Sequence, residues 1–253
     1  MQVVRPLLAV ALVAALARPL AAQGRGFEPE SLVNTKVFPH NTPVREVVDA
    51  MRGFTGALGV RCDYCHFERE GASAGGPPQL DFPRDGKRTK ATARLMLEMV
   101  RRINDSTLSR IPERPTPAVA VTCNTCHRGV PRPVPLADLI GGTVTASGLD
   151  SAVRAYRALR TAYFGRAAYD FGEMTLITVA QNLLTARRAD DALGILAVET
   201  EFFPQSARAQ DQAAEAYVQK GDTGTAVARL RQALQLDPND RFAQMRLRAL
   251  GRN

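Results

Sequence analysis

The sequence predicts an all-α chain in two parts: a small helical unit with long loops, then a stack of helical hairpins. Three observations predict it. The pentapeptide C-x-x-C-H occurs twice, as Cys62-Asp63-Tyr64-Cys65-His66 and as Cys123-Asn124-Thr125-Cys126-His127, each downstream of an amphipathic helical stretch. All four cysteines and two of the three histidines lie in these copies. From residue 150 onward the chain turns rich in Ala, Arg, Leu and Gln and matches itself at a spacing of 34 residues.

The pentapeptide has a specific chemistry. Two thiols one helical turn apart can reach the two vinyl groups on one porphyrin edge, and the next residue, His, is then held under the iron. Paired thiols of a zinc ribbon sit about 15–20 residues apart, far closer than Cys65 and Cys123. A separate zinc site at each motif is sterically poor, because His66 and His127 directly follow a cysteine. The expected cofactors are two covalently bound c-type haems. Cys62, Cys65, Cys123 and Cys126 would attach them, and His66 and His127 would be the proximal iron ligands.

The 253 residues allow one large domain or two modest ones. The net charge is +8, but Arg5 and Arg18 fall in a segment expected to be removed, and haem propionates would offset more. No basic stripe interleaved with aromatics argues for nucleic acid. Residues 1–22 read as a signal peptide: Arg5, an apolar run from Leu7 to Ala17, and Leu20-Ala21-Ala22 before Gln23. The run is short for a membrane span, and Arg18-Pro19 interrupts it. The expectation is a periplasmic or exported protein, with an uncleaved N-terminal anchor as the alternative. Export suits c-type haem, which bacteria attach outside the cytoplasm.

In chain order, Leu32 to Pro39 reads as extended. His40 falls in a turn, where an exposed surface role outweighs iron ligation. Thr42-Pro43 opens a helix, with Thr42 as N-cap. Val44, Val47, Val48, Met51, Phe54 and Leu58 form its apolar face, and the helix is expected to fold back on the first motif. A loop follows from Phe67 to Arg88. A second helix runs from about Thr89 to Asn104 with the face Ala93, Met96, Val100 and Ile103, and Met99 to one side. Asp105 to Val121 is loop again. A thioether on such a face can be a sixth iron ligand. On residues alone, gap-filling core methionines are an equal reading.

Residues 33–135 resemble the cytochrome c subunit of photosynthetic reaction centres. The stretches that carry this are Ala50-Met51-Arg52-Gly53-Phe54 before the first motif, Ala93 to Met99 with Arg102-Ile103-Asn104, and Val121 to Gly129 around the second. The resemblance implies that Met51 and Met96 are distal ligands of the first and second haem, with Met99 a neighbour that does not ligate. That family's best-known members carry four haems in two pairs. This chain has one pair and cannot by itself form the long wire serving a photo-oxidised chlorophyll pair.

Beyond Pro135 the sequence predicts a linker over 136–149, softened by Gly141-Gly142, and a repeat domain over 150–253. Pro204 recurs as Pro238, Ala192 as Ala226 and Ala180 as Ala214. This pattern resembles tetratricopeptide repeats, with Tyr156 to Asp170 as a degenerate earlier unit. Such stacks bind proteins along a concave face.

The fold class expected is therefore all-α: a small multihaem c-type cytochrome domain over 23–135 plus tetratricopeptide-like repeats. The expected function is single-electron transfer between a redox donor and acceptor, among them a membrane-bound complex or reaction centre, with docking through the repeats. No catalytic residue stands out, so the chain is not expected to be an enzyme. A dihaem peroxidase and a repeat scaffold with structural or sensory haems are the rival readings.

Overall fold

The computed structural model describes residues 31–70 and 79–251. The signal peptide expected over 1–22 lies outside them. Ten helices occur among the described residues, joined in the first half by long loops. One two-residue ladder, β1 (Phe67–Glu68) on β2 (Leu80–Asp81), is antiparallel.

Helix α1 (Val44–Leu58) begins one residue later than expected. Pro43 rather than Thr42 stands at its N-cap: its extended ψ of 141° keeps it outside the helix while its carbonyl accepts the Val47 N–H. It stops at Gly59 in the left-handed conformation, whose N–H meets the Gly56 carbonyl. Only Val47 and Ala57 of α1 are buried. Helix α2 (Arg88–Arg102) has a clear apolar face and closes on Arg101 and Arg102, which suit the negative end of its dipole. It buries no residue at all. A π-turn over Ile103–Thr107 and a 3-10 turn over Leu108–Arg110 continue it.

The short α3 (Cys123–His127) packs on α1. This departs from the expected pairing of α1 with the first motif. The contact is main chain on main chain: Gly129 N–H donates to the Ala57 carbonyl at 2.8 Å. A Cβ on Gly59 would lie 2.1 Å from the Gly129 carbonyl oxygen. Glycine is required there by both this approach and its φ of 65°.

Residues 136–149, expected as a linker, are instead mostly helical. Helix α4 (Leu136–Ser147) buries Leu136, Ile140 and Val144. Two glycines inside a helix cost about 1 kcal/mol each relative to alanine. Burying three aliphatic side chains at about 1.5–3 kcal/mol each outweighs that. Helix α4 packs on α5 (Leu149–Tyr163), and the pair continues into α6 (Glu173–Thr185), α7 (Ala189–Phe202), α8 (Ala207–Gln219), α9 (Thr223–Leu236) and α10 (Arg241–Ala249). Helix α4 touches α6, α5 touches α7, and α6 touches α8, the stacking expected of successive helical hairpins.

The 34-residue period is visible in space. Helices α6, α8 and α10 begin at Glu173, Ala207 and Arg241. Ala180, Ala192, Ala214 and Ala226, the alanines that repeat in sequence, are all fully buried. Small side chains at these positions let neighbouring helix backbones approach. Ser206 and Asp240, also one period apart, cap α8 and α10 through the Ala209 and Ala243 amides.

Candidate haem-binding site

Each motif is shaped by local forces. In the first, a 3-10 turn over Cys62–Tyr64 brings the Cys65 and His66 amides onto the Cys62 carbonyl at 3.2 and 3.0 Å. The thiols therefore sit one turn apart with the imidazole next to them. The second is a five-residue helix opened by a capping box between Thr122 and Thr125. Asn104 delivers the chain to it: its side-chain amide donates to the Val121 carbonyl and accepts the Val121 N–H, both at 2.8 Å. The second motif is thus pinned to the π-turn that follows α2.

The two histidines are held differently. His127 Nδ1 lies 3.0 Å from the Val130 carbonyl, a bond that orients the ring and leaves Nε2 for a metal. His66 is 7% exposed, with the Phe82 ring edge-on at 4.9 Å. Burial, reinforced by the Lys90 charge, lowers its pKa and favours the neutral, ligating imidazole, while the Phe82 main chain opposes the shift. Burial raises the pKa of the Cys65 and Cys123 thiols. All four cysteines are unbridged.

Met51 on α1 and Met96 on α2 are half-buried, whereas Met99 is 41% exposed. The ordering of Met96 over Met99 follows the face read from the sequence. The packing of α1 on α3 sets the Met51 helix beside the second motif. His40 is exposed, and the structure gives it no part in the site.

These residues fit c-type haem. Paired thiols, a neighbouring imidazole and soft thioethers are the donor set such a group uses. The apolar face of α2 (Ala93, Met96, Val100 and Ile103) is only half-buried, so it keeps apolar surface that a large apolar group could cover. Among the described residues no three His, Cys, Asp or Glu side chains converge to hold a bare metal ion.

Sequence reasoning missed three features. The Gly59–Gly129 contact had a signal, a glycine just after each element it joins. The carboxylate of Asp85, ion-paired to Lys36, Lys90 and Arg94, had none, since its partners lie up to 49 residues away. Those three cations and Asn34, led by the Arg94 hydrogen bond, hold its carboxyl well below the usual range. The third is Glu199, fully buried in α7 with neither carboxylate oxygen hydrogen-bonded.

The fold and site define a class: an all-α chain in which a loop-rich region with two C-x-x-C-H turns precedes tetratricopeptide-like repeats. Residues 62–158 match the photosynthetic reaction centre cytochrome C subunit family, and residues 207–249 match the tetratricopeptide repeat. The cytochrome match takes in both pentapeptides, Met96, α4 and most of α5; Met51 precedes it. No curated protein matches the chain. Among solved structures, the second TPR domain of human RPAP3, determined by NMR in complex with the HSP70 peptide SGPTIEEVD, is similar. It is 15% identical with a TM-score of 0.33, over 47% of this chain and 93% of that one.

Proposed function

We propose that this chain is an exported dihaem c-type cytochrome that carries single electrons between redox partners and meets them through its helical repeats. The observation that carries the reading is the pair of C-x-x-C-H turns, each placing two thiols and an imidazole within one turn. When bound, haem supplies a one-electron iron couple. The chain's own residues do the rest. Cys62, Cys65, Cys123 and Cys126 would form thioethers, His66 and His127 would ligate as proximal residues, and Met51 and Met96 would be distal ligands. Soft thioether ligation and burial raise an iron's potential and slow ligand exchange. The main-chain contact between α1 and α3 supports one rigid unit rather than two independent sites. Residues 1–22 would direct export, and the donor and acceptor would be redox proteins, a membrane-bound complex among them.

Haem staining of a denaturing gel and a pyridine haemochrome assay test this. Two attached haems per chain are expected; one, or none, overturns it. In the same protein, Met96→Ala is expected to remove methionine ligation at one haem and lower its potential, while Met99→Ala leaves ligation intact. A larger spectral loss from Met99→Ala would reverse the assignment.

A further inference from the structure

Lys90, in the first turn of α2, lies in a cluster that the haem motifs do not account for. Its side chain is only 12% exposed. Its ammonium meets the carbonyl oxygens of Phe82 at 2.9 Å, Pro83 at 3.2 Å and Arg84 at 2.9 Å, and Asp85 Oδ1 at 2.9 Å. An ammonium has three hydrogens. Four acceptors from four successive residues therefore share them, and the 82–85 turn is wrapped about a single cation.

The turn is also braced from outside. Asp85 pairs with Lys36 at 2.8 Å and Arg94 at 3.0 Å, and Asn34 donates to the Pro83 carbonyl at 2.6 Å. The turn's aromatic residue, Phe82, sets its ring against His66 with an interplanar angle of 64°. A lysine taken this far out of water is costly unless its hydrogen bonds are satisfied. Here they are satisfied by the segment that touches the imidazole.

We propose that Lys90 is a positioning residue for the proximal ligand of the first haem: its ammonium gathers the 82–85 turn so that Phe82 fixes the orientation of the His66 imidazole. This rests on Cys62–His66 being a haem-attachment motif. The orientation of an axial imidazole and the groups around it tune the iron's potential. A nearby cation disfavours the more positive, oxidised iron, so losing it lowers the potential. Lys87 provides the control. Its charge also acts on Cys65 and His66, but its ammonium donates to the Asp63 carbonyl instead of the turn.

The test uses full-length holoprotein and the variants Lys90→Met, Phe82→Leu, their double, and Lys87→Gln. Haemochrome assay counts haems, redox titration reads two components, and electron paramagnetic resonance of the oxidised protein reads imidazole orientation. Lys90→Met and Phe82→Leu are expected to lower and alter the same component. The double should move it no further than the larger single change, because both act through one contact. Lys87→Gln is expected to lower the potential through its charge without reproducing the spectral change of Lys90→Met. Unaltered spectra in Lys90→Met, additive shifts in the double, or the same spectral change from Lys87→Gln would each overturn the proposal. If Lys90→Met retains too little haem to measure, Phe82→Leu decides by the same spectral criterion. Wild-type protein without attached haem would overturn the functional reading, and this inference with it.

Discussion

Helices α2 and α6 are similar in length and both carry an apolar face, yet they meet different surroundings. Helix α6 buries Leu176, Ile177, Val179, Ala180, Leu183 and Leu184 against its neighbours, while α2 buries nothing. The contrast extends to the regions around them. Among described residues before Leu136, only Val47, Ala57, His66 and Val130 are buried. After it, one continuous core runs from Leu136 to Ala216, with a second cluster around Ala226 and Leu230. Helical periodicity says which side of a helix is apolar, not what that side will meet. In the repeats it meets another helix; in the motif-bearing region, on the proposed function, it would meet a prosthetic group held by thiols.

The largest effect should come from removing that partner. A chain with Cys62, Cys65, Cys123 and Cys126 all changed to Ala cannot attach haem. Limited proteolysis is expected to cut throughout 31–135 while a fragment from about residue 136 onward survives, because only the latter packs its own core. Equal protection of both parts would end the contrast.

The converse perturbation falls on the repeats. Ala214→Leu inserts a large side chain where the wild-type residue is fully buried. Overpacking of this kind costs about 1–3 kcal/mol. Thermal unfolding of the repeats should shift down while haem spectra stay fixed. A spectral change would mean that the two regions share more than a chain.

A smaller, pH-dependent effect should sharpen the picture within the repeats. Burial, then the neighbouring Glu173 charge, pushes the Glu199 carboxyl up to about 8. Burial and the adjacent Asp240 push Asp211 up to about 8 as well. Each folded group keeps its proton where the unfolded chain has lost it. Stability is therefore full below the unfolded values near 4.5 and 3.8 and falls as pH rises toward about 8. Glu199→Gln should remove part of that slope and stabilise the protein at pH 8 by about 2 kcal/mol. Asp211→Asn should remove much of the remainder. Denaturant titrations at pH 5 and pH 8 measure both, and an unchanged slope in Glu199→Gln would show that its carboxyl is already ionised in the fold.

What the sequence determined by itself was local or periodic. The two pentapeptides are legible because their chemistry is complete within one helical turn. The repeats are legible because the same alanines return every 34 residues and each must fit the same helix contact. The face of α2 with Met96 inward of Met99 follows from 3.6-residue periodicity alone. Other features were decided only in three dimensions. The α1–α3 pairing depends on a main-chain contact between Ala57 and Gly129, which no side-chain pattern announces. Residues 136–149 read as a linker because glycine is a poor helix former, but burial of Ile140 and Val144 in α4 overrides that preference. The wrap of the 82–85 turn around Lys90 joins segments whose proximity depends on the path of the loops. Local propensity cannot set such contacts, because their energy arises only once distant parts of the chain have met.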